Sequence, residues 1–305
     1  ERCVSMKSKH AFDMELIEGF CGDLKKHIYT SVCPVKIEAR VTKEPVCFSE
    51  KNTGVCKLLK TGEPWGELWD CAWMHVTGHV PAECWGKTVV LLLDISGEGC
   101  VFDLCGNPLR GITSYASMFD PAMEMPVKRV IPVADCSDGN EIIDLWVDAG
   151  CNDLFGRLVD GGTLKQAEIA VCDENLRQLF YDYRFLKLLA ETLPENSPKR
   201  RRLEAELYDL AVTAGQLTPN EINGMRQRLS VFFNEKNEGS SLQFSAVGHS
   251  HLDLAWLWPI RETKRKGVRT FSTVIETMNR YPEYLFGASQ PQLYQWIRVP
   301  SSSRR

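Results

Sequence analysis

The stretch AVGHSHLDLAWLWPIRETKRKGVRTFSTVIETMNRYPEYLFGASQPQLYQW, residues 246–296, changes its periodicity three times. Its front belongs to a short apolar run, Leu242–Gly248, that reads as a strand. Across Glu262–Asn279, Val268, Phe271, Val274, Ile275 and Met278 recur at helical spacing and mark a core-facing stripe. Tyr284–Ala288 reads as a second strand and Pro291–Ile297 as the start of another helix. Strand, helix, strand in this order predicts the opening of an α/β domain with a parallel sheet. A complete α/β barrel needs about 250 residues, so residues 242–305 are expected to hold only the beginning of one. The ending, Val299–Arg305, reads as a tail.

Upstream of this stretch, Asn237-Glu238-Gly239-Ser240-Ser241 reads as a linker that closes a helical region, residues 173–241. Leu176, Leu179, Phe180, Tyr183, Leu186 and Ala190 predict one face of its first helix. Ser197-Pro198 supplies an N-cap and a first-turn proline for a second helix, which carries Leu203, Leu207, Leu210 and Ala211. There the basic run Lys199–Arg202 finds partners at i,i+4, Arg200 with Glu204 and Arg202 with Glu206. A third helix runs from near Pro219 to about Asn234.

Further upstream, residues 61–172 are short apolar runs separated by turns. Thr88–Ile95, Cys100–Leu104, Val127–Val133, Ile142–Val147 and Lys165–Val171 read as strands. Ser96–Gly99, Cys105–Pro108 and Asp138–Asn140 carry the glycine, asparagine and proline that tight turns require. With no long helical pattern between them, these strands predict a β-sandwich or jelly-roll domain. Residues 1–60 form a lead-in with one helix, Phe12–Ile28, whose stripe is Leu16, Ile17, Phe20, Leu24 and Ile28, and a strand, Val35–Val41.

The residues with chemistry to offer are His249, His251 and Asp253, at the end of the first predicted strand of the α/β segment. In α/β folds ligands bind at that edge. Continued extended geometry would aim all three side chains the same way. Two imidazoles and a carboxylate suit zinc and related divalent ions. His251 and Asp253 are therefore candidate metal ligands, and His249 is a candidate to orient a carboxylate or contact substrate. The alternative is a surface loop with hydrogen-bonded histidines. Against it, the other four histidines lie far upstream, and Phe244–Val247 and Leu254–Trp258 are apolar flanks. Trp256 suits either a sugar face or a core, and Trp258 reads as core. Arg261, Lys264, Arg265 and Lys266 crowd the front of the next helix, where the dipole disfavours cations; they read as a solvated face.

Bulk properties narrow the function. A net charge of -4 lacks the basic footprint of a nucleic-acid binder. No apolar run approaches the roughly 20 residues of a membrane span. Twelve cysteines include no C-x-x-C pair, and they are expected to be mostly buried free thiols. With no glycosylation sequon and no leader pattern, the expectation is a cytoplasmic protein, with a vacuolar or lysosome-like compartment as the alternative.

The segment 246–296 resembles the opening catalytic segment of glycoside hydrolase family 38 α-mannosidases, in the branch with cytosolic and vacuolar enzymes. TVVLLLDISGEG (88–99) and GNPLRGIT (106–113) resemble that branch's N-terminal domain. The resemblance implies zinc, with cobalt as a possible substitute, held by His251 and Asp253. It implies Trp256 stacked near a mannose and His249 beside the substrate. It also implies retaining hydrolysis of terminal α-D-mannose from oligosaccharides by an aspartate nucleophile and a separate acid. In the family that nucleophile and the remaining zinc histidine lie further along the sequence, and after Asp253 this chain has no Asp or His. No catalytic residue is therefore expected within the 305, and the chain by itself is expected to have little or no activity. A homo-oligomer is possible for the full-length enzyme. Two alternatives stay open: a non-catalytic carbohydrate-binding or interaction module built on the β region, and a metalloenzyme of another class, such as an amidohydrolase.

Overall fold

The structure, a computed structural model, describes residues 2–114, 128–152, 161–235 and 244–298. It divides into two compact units, Glu1–Thr30 with Val171–Leu242, and Ser31–Ala170 with Gln243–Arg305.

The first unit is helical. It comprises α1 (Arg2–His27), α2 (Glu174–Thr192), α3 (Pro198–Thr213) and α4 (Pro219–Phe233). The N-caps of α2, α3 and α4 are chemically specified: Asp173, Ser197 and Thr218 accept the backbone N–H three residues on, and Thr218 with Glu221 completes a capping box. The expected stripe of α2, Leu176 through Ala190, is buried in full. Phe20 meets Tyr183 edge-on at 5.3 Å, and the Tyr183 hydroxyl donates to the Leu207 carbonyl at 2.9 Å. Arg200 pairs with Glu204 at 2.7 Å as expected. The pair Arg202–Glu206 does not form: Arg202 reaches Glu235, and Glu206 takes Arg228 of α4. A long guanidinium arm finds a neighbouring helix as easily as its own next turn. The expected linker 237–241 lies outside the described residues.

The second unit is built on antiparallel strands: β1 (Tyr29–Pro34), β2 (Lys36–Thr42), β3 (Val55–Leu59), β4 (Pro64–Gly66), β5 (Cys71–His79), β6 (Thr88–Asp94), β7 (Glu98–Phe102), β8 (Pro108–Thr113), β9 (Val130–Ala134), β10 (Ile142–Gly150), β11 (Gly162–Thr163) and β12 (Gln166–Cys172). Among the described residues they form a four-stranded sheet, β1-β12-β6-β9, a six-stranded sheet, β3-β2-β5-β10-β7-β8, and the pair β11-β4. This is the expected jelly-roll-like β region, and its sheets take in strands upstream of residue 61. β5, at the centre of the larger sheet, carries no clean apolar run: Trp73, His75, Thr77 and Gly78 interrupt it. Ile37, Ala39, Met74, Val76, Ile143, Val147 and Ala149 alternate onto a buried inner face.

Alternation puts Trp146, Asp148, Glu98, Cys100 and Phe102 on the opposite face of the same sheet, with Trp146 opposite Phe102 and Asp148 opposite Cys100. The remaining elements, β13 (Gly248–His249), α5 (Ile260–Arg280), β14 (Phe286–Gly287) and α6 (Pro291–Arg298), join here, with α5 packed along β7 and β8. β13 and β14 pair in parallel, Gly248 with Phe286 and His249 with Gly287. Of the expected strand 242–248, residues 244–247 are unpaired and only Gly248 pairs, with His249 beyond it, and the expected strand 284–288 shortens to Phe286–Gly287. Phe244 is 90% exposed and Val247 58%, so the apolar run lacks the packing partners that would hold it extended.

The docking of α5 reverses expectation. Its buried residues are Glu262, Thr263, Arg265, Lys266, Gly267, Arg269 and Ser272. Val268, Phe271 and Val274 are half-buried, and Ile275 and Met278 are exposed. Gly111 of β8 permits the approach: a Cβ there would stand 3.1 Å from both Cβ and the carbonyl oxygen of Arg269. The Gly111 N–H donates to Thr273 Oγ1 at 2.9 Å.

Candidate functional site

Strand pairing ends at His249, and His249, His251 and Asp253 all border one cleft. His249 Nε2 lies 3.4 Å from Ser289 Oγ, just after β14. Gly248 leaves room for the Tyr284 hydroxyl, which a side chain at that position would displace. Beyond the strand, Leu252 is buried and pins the loop, while His251 and Asp253 turn toward each other, Nε2 to Oδ1 3.2 Å. The His251 side chain is 75% exposed and that of Asp253 36%. The two atoms that face each other are the two that a cation would draw to itself. An imidazole nitrogen and a carboxylate oxygen fit part of a zinc coordination sphere. Among the described residues, no group of three or more His, Cys, Asp or Glu side chains is placed to hold a metal ion.

Trp256 is 57% exposed and Leu257 likewise. Trp258 is half-buried: its Nε1 donates to Thr263 Oγ1 at 2.9 Å, and the Thr263 hydroxyl donates to the Leu254 carbonyl at 3.0 Å. His249, His251, Asp253, Trp256 and Trp258 line one cleft of about 810 Å³. The β region contributes Thr113 and Glu98 to the same cleft.

Beneath the loop lies a buried ionic cluster that sequence reasoning did not find. Arg265 donates from Nη2 and Nε to Asp148 at 2.5 and 3.0 Å, and from Nη1 to Glu262 at 2.5 Å. Lys266 pairs with Glu98, and Arg269 donates to Glu98 at 3.1 Å. Three carboxylates thus meet three cations. Burial works to raise the Glu262 carboxyl, but Arg265 and Arg269 more than offset it and hold it below the ordinary carboxylate range. Burial lowers the Lys266 ammonium, with Glu98 opposing. Arg265 is raised well above its usual value because Asp148 and Glu262 outweigh its desolvation. Of the cations expected in solvent, Lys264 is exposed and Arg261 reaches Glu44 at 3.3 Å, whereas Arg265 and Lys266 are interior. The available signal was spacing: Glu262, Arg265, Lys266 and Arg269 fall on one helical face with mixed sign.

The eleven cysteines whose side chains are described are free thiols, and six of them are buried. Burial pushes Cys71 up to about 11 and Cys100 and Cys151 up to about 12, far from thiolate reactivity. No described helix is long and apolar enough to cross a membrane.

Comparison with known proteins gives this geometry a family context. Residues 33–170 match the α-mannosidase jelly-roll domain, and residues 241–304 match the glycosyl hydrolases family 38 N-terminal domain. Alpha-mannosidase G of Dictyostelium discoideum is 26% identical over 93% of this chain and 27% of its own length. Human Alpha-mannosidase 2C1 is 25% identical over 90% of the chain and 27% of its own length. An Alpha-mannosidase of Saccharomyces cerevisiae is 29% identical over 77% of the chain and 23% of its own length. The chain therefore spans about a quarter of the length of these relatives. The jelly-roll match and the family 38 match lie in one chain, so these residues carry an N-terminal α-mannosidase region of the family 38 type, homologous to known α-mannosidases.

Proposed function

We propose that these residues form part of a zinc-dependent, retaining α-mannosidase site acting on terminal α-D-mannose of oligosaccharides. The observation that carries this reading is the His251–Asp253 pair at the mouth of β13, inside the segment matched to the family 38 domain. In this reading His251 and Asp253 are two of the metal's ligands. Zinc, when bound, would grip sugar hydroxyls and favour a distorted ring. Trp256 offers an exposed indole face to the apolar side of the sugar. His249, steadied by Ser289, contacts substrate or turns a carboxylate toward it. A retaining glycosidase also needs two carboxyl groups about 5–5.5 Å apart across the scissile bond. Of the three carboxylates after Asp253, Glu262 is locked in the ionic cluster, Glu276 is paired with Arg110, and Glu283 is exposed in the turn after α5. We therefore propose that the 305 residues alone have little or no turnover. Cytoplasmic placement and oligomerisation of the whole enzyme remain parts of the same proposal.

The test is hydrolysis of an aryl α-mannoside, with zinc or cobalt added, by the purified chain beside a version extended to the length of its relatives. Turnover by the longer protein alone, lost on His251→Ala or Asp253→Ala, is the expected result. Turnover by the 305-residue chain would reveal a nucleophile within it. Inactivity of both, with zinc-independent oligosaccharide binding, would replace the enzyme with a binding module.

A further inference from the structure

β13 carries His249 to the cleft on two residues, and among the described residues it pairs with β14 alone. Two short paired strands are marginal by themselves in water. The residues before β13 offer no anchor, since Phe244 and Val247 are largely exposed. What holds it comes from the other side of the ladder. The Gly248 N–H donates to the Leu285 carbonyl at 2.7 Å. Directly before Leu285, the Tyr284 ring lies against Gly248: a Cβ there would stand 2.6 Å from Cζ and 2.9 Å from Cε2, and nearer still to the hydroxyl. Tyr284 therefore fills the space that a side chain at 248 would take. β14 is tied down in turn, because Phe286 meets Phe271 of α5 edge-on at 6.2 Å, and Phe271 lies 4.9 Å from Tyr294 of α6.

We propose that Tyr284 is a positioning residue for His249: its ring clamps Gly248 against β14, and the clamp sets where the imidazole of the next residue stands beside Ser289 and the cleft. That His249 serves a sugar rests on the function proposed above; that Tyr284 fixes it does not. Gly248 belongs to the same device, since a methyl at that position and the Tyr284 ring would compete for one space. Removing the ring leaves β13 with its backbone bond but without the packing that covers it, and the strand opens more often.

Amide hydrogen exchange on the metal-free 305-residue chain tests this through a bond that can be watched, from Gly248 N–H to Leu285. In Tyr284→Ala the amide at 248 should lose about tenfold in protection. The amides of Val80 and Leu93, bonded to the carbonyls of Glu141 and Arg129 in the β region, should keep theirs. Tyr284→Phe retains the ring and should change the amide at 248 by less than about twofold. Gly248→Ala should release the same amide, and the double variant with Tyr284→Ala should release it no further than either single change. Gly248→Ala carries the test if Tyr284→Ala does not fold. The imidazole nitrogen signals of His249 should move toward those of free histidine in Tyr284→Ala, while those of His75, held 2.7 Å from Asp144, stay in place. Unchanged protection at 248, additive loss in the double variant, or loss shared with Val80 and Leu93 overturns the proposal. Mannoside hydrolysis by the extended protein separates the two readings. Release of the amide at 248 beside an inactive extended protein sinks the sugar role of His249 and leaves the clamp intact. Hydrolysis with an unmoved amide does the reverse.

Discussion

Helices α2 and α5 are nearly the same length, 19 and 21 residues, and meet their surroundings in opposite ways. α2 buries an apolar stripe from Leu176 to Ala190. α5 carries an equally regular apolar stripe, yet it turns Glu262, Arg265, Lys266 and Arg269 inward and leaves Ile275 59% exposed. Periodicity therefore says that a helix has two faces; the neighbour decides which one docks. α2 is flanked by helices with apolar faces of their own. α5 meets the outer face of a sheet where alternation has placed Glu98 and Asp148, and only a cationic face complements those carboxylates. Desolvating such charges is expensive, and close, mutual pairing is what offsets it.

The largest test of this contrast is Asp148→Asn. It leaves the Arg265 charge buried with one carboxylate instead of two, and should destabilise the second unit by about 3–5 kcal/mol in urea unfolding. Replacing Glu98 and Lys266 together by Gln and Met should cost much less than the sum of the single changes; full additivity would mean that the pair is not coupled. In α2 the corresponding loss is a cavity: Leu179→Ala should cost about 3 kcal/mol in the helical unit. The two losses should also differ in acid. The Glu262 carboxyl lies below its ordinary range in the folded chain, so the unfolded chain takes up its proton first. Its contribution is complete above the unfolded value and is lost as pH falls through the folded one, and Glu262→Gln should flatten that part of the urea-midpoint profile. Leu179→Ala should shift the profile without changing its slope. Next in size, Thr218→Ala removes the capping box of α4 and should cost about 1 kcal/mol by thermal unfolding. The smallest effect belongs to the exposed side of α5, where Ile275→Glu should change stability by less than about 0.5 kcal/mol. A larger loss there would show that the apolar stripe is the working face after all.

In the helical unit α2, α3 and α4 were legible almost to their ends, because their stabilising faces are contributed by neighbours with the same periodic code and their caps are local chemistry, whereas α1, expected over Phe12–Ile28, runs Arg2–His27. The β region was legible as a class, but β5 was not, since its alternation is confined to Met74 and Val76 between His75 and Thr77, and Gly78 ends it. The H-x-H-x-D segment stood out by residue type. Its hydrogen-bond partners did not, because the contact of His249 with Ser289 joins residues 40 positions apart. The ionic cluster was the least visible feature, since Glu98 and Lys266 are 168 residues apart and nothing local links them.

That separation of 168 residues has a consequence in time. During synthesis the sheet emerges well before α5, and the interval is on the order of 10–30 seconds at typical elongation rates. Through that wait the outer face of β7 and β10 shows water Glu98 and Asp148 where α5 will later sit. An apolar docking face would be adhesive for the whole interval, whereas a carboxylate-bearing one is hydrated and repels its own copies. When Arg265, Lys266 and Arg269 emerge, the face that kept the nascent domain apart from its neighbours becomes the one that receives the helix.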